Sequence, residues 1–109
     1  MRIAISSTGK DITSRVAQVF GRADCFIIFD TDFGCVVDIL DNSEAKVAMK
    51  GAGVKAATLV ACEYVDMVFS GTVGPIATKI LEKSLISIQT KVSGSVEDVI
   101  DKVSSLCNK

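Results

Sequence analysis

The sequence predicts an α/β protein: a mixed five-stranded sheet in the order β-β-β-α-β-α-β-α, with helices on both faces. Three observations predict it. Two apolar runs rich in β-formers, residues 25–30 and 35–40, are separated by four residues, the spacing of an antiparallel hairpin. Beyond residue 50, helix-like and strand-like runs alternate, as in parallel βαβ units. The last segment places Val96, Val99, Ile100, Val103 and Leu106 at a period of about 3.6 residues, one stripe of a helix.

Each element has a local reason. Residues 2–6 alternate around Ile3 and Ile5 and form a first strand; 7–10 turn. Residues 11–20 are expected to hold a short helical turn that Gly21 stops. Residues 25–30 form a continuous apolar run, a strand buried on both faces. In the hairpin, Cys25 pairs near Leu40, and about five residues of strand, on the order of 16 Å, separate it from Cys35. A disulfide needs Cα atoms within about 7 Å, so these two do not bridge. Residues 41–50 are polar and irregular. Gly51-Ala52-Gly53 open a helix with Ala52, Ala56, Leu59 and Val60 on one stripe. A strand over 65–69 follows, then a tight loop at 70–74. Pro75 suits the first position of a helix running to Lys83, with Ile76, Ile80 and Leu81 facing inward. Residues 85–89 form the last strand. Ser95-Val96-Glu97-Asp98 is a capping box with Asp in place of Glu.

The chain has 109 residues, one domain spanning 1–109, with 49% apolar and 23% charged residues. That length buries roughly two-thirds of the unfolded surface and needs no metal or disulfide staple. Net charge is −1 and no two basic residues are adjacent, which argues against nucleic acid and anionic membranes as partners. No run approaches the roughly 18 apolar residues of a membrane helix, and Met1 to Ile5 is too short for a signal peptide, so the expected address is the cytoplasm. There are four cysteines, none in C-x-x-C spacing, and no histidine, which excludes the usual structural zinc sites and any Ser-His or Cys-His nucleophile.

Three segments can carry chemistry. Met49-Lys50-Gly51-Ala52-Gly53 puts glycines at a helix start, where N–H groups and the positive helix end favour anions. The same glycines also serve a mere awkward turn. Gly51, Gly53 and Ala56 match G-x-G-x-x-A, but they follow a loop rather than a strand, so a dinucleotide site is discounted. Ser70-Gly71-Thr72-Val73-Gly74-Pro75 joins a parallel strand to a helix, the place where open α/β sheets bind ligands, or is an ordinary βα turn. Phe20-Gly21-Arg22 offers a guanidinium to an anion, or simply a surface arginine. No acidic residue lies in the first strand, which weakens a two-metal hydrolase or nuclease reading.

Together these segments resemble the dinitrogenase iron–molybdenum cofactor biosynthesis family, which includes NifX, NafY and the C-terminal part of NifB. Phe20-Gly21-Arg22-Ala23 is similar to its "HFGRA" segment. Lys50-Gly51-Ala52-Gly53 is similar to its "HGGAG" segment. Ser70 to Pro75, with Ala77 beyond, is similar to its "aGxiGPnA" segment. The likeness covers essentially the whole chain. It implies a ribonuclease-H-like sheet and non-enzymatic binding of an iron–molybdenum or iron–sulfur cluster or its precursor. The implied partners are that cluster and a protein of cofactor assembly. It also implies cofactor-binding roles for Phe20, Gly21, Arg22, Met49, Lys50, Gly51, Gly53, Ser70, Gly71 and Gly74. Val19 and Met49-Lys50 stand where the family often has histidine. A thioether such as Met49 can act as a soft ligand, and Cys25 and Cys35 are the candidate thiolates. The alternative is an anion- or small-molecule-binding regulatory module on the same fold that has lost metal binding. The carrier expectation requires the three segments to converge at one edge of the sheet.

Overall fold

A computed structural model describes residues 1–107, with side chains as far as 105. The strands are β1 (Arg2–Ser7), β2 (Cys25–Asp30), β3 (Cys35–Asp41), β4 (Met67–Phe69) and β5 (Ser87–Gln89). The helices are α1 (Ser43–Lys46), α2 (Ala52–Ala61), α3 (Pro75–Lys83) and α4 (Val96–Cys107), with a 3-10 turn at Phe20–Arg22. They form one five-stranded sheet in the order β3-β2-β1-β4-β5. β1 is central, antiparallel to β2 and parallel to β4, and β4 is parallel to β5. The hairpin, the mixed sheet and helices on both faces are as the sequence predicts.

Alternation along the strands divides the core into two layers. Ala4, Phe26, Ile28, Leu40 and Val68 face α2 and α3, and meet Ala56, Ala57, Val60, Ala77 and Leu81. Ile3, Ile5, Cys25, Ile27 and Phe29 face α4 and its stripe of Val96, Val99 and Val103. Leu106, expected on that stripe, lies outside the described side chains. The capping box forms: Ser95 N–H donates to Asp98 Oδ2 and Asp98 N–H to Ser95 Oγ, both at 3.1 Å. Cys25 pairs with Asp41 and Leu40 with Phe26, so Cys25 and Cys35 sit at opposite ends of the hairpin, and both are free thiols. A β-bulge at Val37 shifts the register, so that Phe29 opposes Val36 while Ile28 opposes Asp38.

Several expectations are corrected. Residues 11–20 hold one short turn, closed by Ser14 N–H donating to Asp11 O at 2.9 Å, and a 3-10 turn begins at Phe20 and runs through Gly21 rather than stopping there. They form a strap tied to its neighbours by isolated bridges at Ser7–Val16, Arg15–Ser95 and Val19–Thr72. Asp11 accepts Thr13 N–H at 3.0 Å, an Asx turn that competes with helix. Residues 41–50 are not wholly irregular, because α1 lies within them. β4 and β5 begin at Met67 and Ser87, two residues later than expected, because the chain must first reverse out of each helix. With no glycine there, Tyr64 (φ 56°) and Leu85 (φ 62°) take the left-handed conformation. Ile76 is 62% exposed rather than inward. Ala77 and Leu81 form the buried stripe of α3, and Ile76 lies about 100° round the helix from Ala77.

Candidate functional site

The last part of the strap crosses the C-terminal ends of β1 and β4. Ala17 N–H donates to Ser6 O at 2.9 Å, and Gly71 N–H donates to Ala17 O at 3.1 Å. Thr72 N–H reaches Gln18 O at 2.7 Å, and Phe20 N–H returns to Thr72 O at 2.9 Å. Beneath this ladder the Ser6 hydroxyl donates to the Ser70 hydroxyl at 2.9 Å, and both residues are fully buried. Gly71 has no room for a side chain, since a Cβ there would sit 2.7 Å from Gln18 Cα. Phe20 anchors the crossing from below, its ring 4.9 Å from that of Phe26.

The same segment backs onto α2. A Cβ on Gly21 would lie 2.9 Å from Gly53 N and 3.0 Å from the Ala52 carbonyl carbon. Gly53 in turn faces α3, where its Cβ would lie 3.4 Å from the Ala77 methyl. Residues 17–22, 51–53 and 70–77 therefore converge at one end of the sheet. Two helix starts meet there side by side. Gly51, left-handed at φ 76°, precedes α2, and Gly74 precedes α3; neither helix has a side-chain cap. Among the described residues the N–H groups of Ala52, Gly53, Ile76 and Ala77 have no protein acceptor. The start of α4 is different. Its capping box is joined by Val96 N–H donating to Ser14 O at 2.9 Å and Glu97 N–H to Ile12 O at 2.8 Å.

The cations around this end divide into spent and free. Arg22 Nη1 donates to Lys46 O and Ala48 O, each at 2.7 Å, which closes the carbonyl end of α1. The guanidinium expected to meet an anion is thus folded onto the loop that leads to Met49. Lys46 pairs with Asp24. Lys50 is exposed, and Met49 is 97% exposed, reaching no protein group that would position its thioether. Val19, Val47, Val54 and Ile76 add exposed apolar surface close by. Sequence reasoning missed two positioning residues. Asn42, 2% exposed, donates from Nδ2 to Ala23 O at 2.9 Å and Gly21 O at 3.4 Å, holding the glycine turn in place. Ser6 ties β1 to β4. Only burial distinguishes either from an ordinary polar residue, and burial is invisible in a single polar letter.

The cysteines stand apart. Cys25 is 1% exposed on the α4 side of the sheet, and its thiol donates to Gly9 O at 3.1 Å. Burial pushes that thiol up from its ordinary value, against the smaller opposing effect of a hydrogen bond with Ser7. Cys35 opposes Asp30, which opposes Arg2, so it lies at the other end of the sheet from the glycine turns. Five residues of β1 separate those ends, on the order of 16 Å. Neither cysteine therefore faces the place where the three segments meet. Among the described residues, no three Cys, Asp or Glu side chains gather as a metal site.

The likeness to known proteins agrees with this architecture. An orange protein from Desulfovibrio gigas, solved in its apo form, is 26% identical, with a TM-score of 0.88 over 95% of this chain and 87% of its own. An NMR structure of a NifB-type protein from Thermotoga is 32% identical, with a TM-score of 0.80 over 95% of this chain and 87% of its own. A dinitrogenase-type protein from Methanocaldococcus jannaschii, 19% identical with a TM-score of 0.67 over 96% of this chain and 88% of its own, shares the fold. Among curated proteins none matches significantly. The profile of the family described as "Dinitrogenase iron-molybdenum cofactor" matches residues 1–106. By that match, this chain belongs to the dinitrogenase iron–molybdenum cofactor family.

Proposed function

We propose that the chain binds and carries an anionic iron–molybdenum or iron–sulfur cluster, or its precursor, during metallocofactor assembly, and catalyses no reaction on it. The observation that carries this reading is the meeting of two uncapped helix starts behind Gly21. Their first-turn N–H groups have no acceptor among the described residues, and both helix ends carry positive partial charge. A metal–sulfide cluster is an anion whose sulfides accept hydrogen bonds. Gly51 and Gly74 leave the backbone uncovered for close approach, while Gly53 lets α2 pack against Gly21 and Ala77. Lys50 adds a full positive charge, and Phe20, Gly21, Ser70 and Gly71 hold the turns in register. With no gathered ligand set, the cargo is held by charge and N–H donors, with Met49 the one soft atom nearby. Such a site releases its guest to a partner protein more readily than one built on thiolates.

A second reading is favoured by that same lack of ligating groups: the cradle takes a small organic or inorganic anion in a regulatory role. Anaerobic reconstitution with iron, sulfide and molybdate separates the two. The carrier reading expects a coloured protein holding metal after desalting, with Gly53→Asp losing the colour while keeping the fold. A colourless, metal-free protein removes the carrier reading. Tight binding of molybdate or phosphate alone would then support the second.

A further inference from the structure

The two faces of the sheet are covered unequally. α2 and α3 share one face, while among the described residues α4 is the one helix on the other, packed across β1 beside Ile12 and Val16 of the strap. A helix about 10 Å wide shields about two strands spaced about 4.8 Å apart, so one helix cannot close a five-stranded face. Beside α4, over β4 and β5, a groove of about 600 Å³ remains. Its floor is Met67 and Phe69, which stay only half-buried although they lie on an interior strand of the sheet. Its wall is Val99 and Val103 of α4, and Lys91 and Lys102 stand on its rim.

The side chains of that rim carry a net positive charge, two lysines against one aspartate. Asp98 is the acid lining the groove, and its Oδ2 is engaged by Ser95 N–H. Lys91 and Lys102 make no ion pair among the described residues. The loop carrying Lys91 is fixed, because Lys91 N–H donates to Gly71 O at 2.6 Å and Val92 N–H to Ser70 O at 3.1 Å. We propose that this groove is a binding site for a small amphipathic anion, a medium-chain aliphatic carboxylate, on the α4 face of the sheet, opposite the starts of α2 and α3. The alkyl chain covers Met67 and Phe69, and the carboxylate lies between the two lysines. The size suits one such molecule, since small-ligand sites run from about 300 to 1,000 Å³ and combine an apolar lining with few polar groups. Covering the half-buried ring and thioether supplies the favourable transfer, and the lysines select a negative head over a neutral one.

The test is titration of the full chain with decanoate, followed by amide chemical shifts, with decanol and acetate as comparisons. Saturable shifts are expected at Met67, Phe69, Val99 and Lys102, with at least tenfold weaker binding for decanol and for acetate. The double variant Lys91→Glu/Lys102→Glu is expected to weaken decanoate at least tenfold. Lys83→Glu, on the far side of the sheet, is expected to leave binding unchanged. All are exposed positions, and a thermal scan confirms that each variant folds. Absence of saturation, shifts scattered over other faces, or indifference to the double charge reversal overturns the proposal. Cluster binding is read separately, by metal retention, and uses the helix starts on the opposite face of the sheet, so failure of either reading is distinguishable from failure of the other.

Discussion

Gly21 and Gly53 meet backbone to backbone: a single methyl on Gly21 would stand 2.9 Å from the Gly53 nitrogen. Both neighbours are main chain, so nothing flexible can yield. Gly21→Ala is therefore expected to cost about 1–3 kcal/mol, the range for overpacking, and to push the start of α2 away from the crossing segment. Urea denaturation gives the first, and amide shifts at 51–54 the second. An unchanged midpoint would show that the turn is softer than this contact implies.

Ser6 and Ser70 test the ladder beneath. Their hydroxyls bond at 2.9 Å in a fully buried setting. Ser70→Ala leaves the Ser6 hydroxyl the Ala17 carbonyl at 3.3 Å, and Ser6→Ala leaves the Ser70 hydroxyl the Thr72 carbonyl at 3.5 Å, so each is expected to cost only about 1 kcal/mol. The double variant is expected to cost less than the sum, because each single variant already loses the bond the two hydroxyls share. A double-mutant cycle by chemical denaturation measures the coupling, and simple additivity would refute it.

Leu85 predicts the opposite sign. It occupies the left-handed position after α3, with Ile86 N–H donating to Leu81 O at 3.0 Å and Leu85 N–H to Glu82 O at 3.0 Å, a Schellman closure. Its side chain is 90% exposed and contributes little packing. Leu85→Gly is expected to raise stability by about 0.5–1 kcal/mol, as left-handed strain is relieved against the greater chain entropy of glycine. A lower melting temperature would contradict it.

Arg22 is expected to act as a latch. Removing its two hydrogen bonds, in Arg22→Ala, frees the carbonyls of Lys46 and Ala48 at a cost of about 1 kcal/mol for exposed groups. Faster amide exchange is expected across 43–50 and not in β1. Equal exchange in both regions would mean that the guanidinium holds nothing.

Cys25 predicts a pH effect. Its thiol is raised in the folded state by burial, so the unfolded chain ionises first. The stability it contributes is fully present below the ordinary thiol range and declines as pH climbs through and above that range. Cys25→Ala should flatten this alkaline decline, at the expense of some packing. Iodoacetamide at neutral pH should modify Cys35 and Cys62, which are exposed, and spare Cys25 until the chain unfolds.

Much of the architecture is readable from residue pattern alone. The four-residue gap after Asp30 specifies the hairpin, the stripe of Val96, Val99 and Val103 specifies the face of α4, and Ser95 with Asp98 specifies its start. What is not readable depends on contacts distant in sequence. The strap at 11–20 has helix-compatible letters, but most of its hydrogen bonds run to Ser6, Gly94, Val96 and Glu97 instead. Ile76 has the spacing of an inward residue until Gly53 selects Ala77. That Arg22 closes the end of α1 is hidden, because its two carbonyl acceptors carry no sequence signal. The glycine turns are visible as turns, and their convergence is anticipated only through resemblance of the motifs.

The glycine-turn end is joined by partners far apart along the chain: Ala17 with Gly71, Phe20 with Thr72, Gly21 with Gly53. No short stretch can build any of it in isolation. Loop closure must precede it, so this end is expected to condense late as the polypeptide folds, after the local hairpin 25–41. A truncated or stalled chain would carry a formed hairpin and no cradle, which spares half-made copies from engaging a reactive guest.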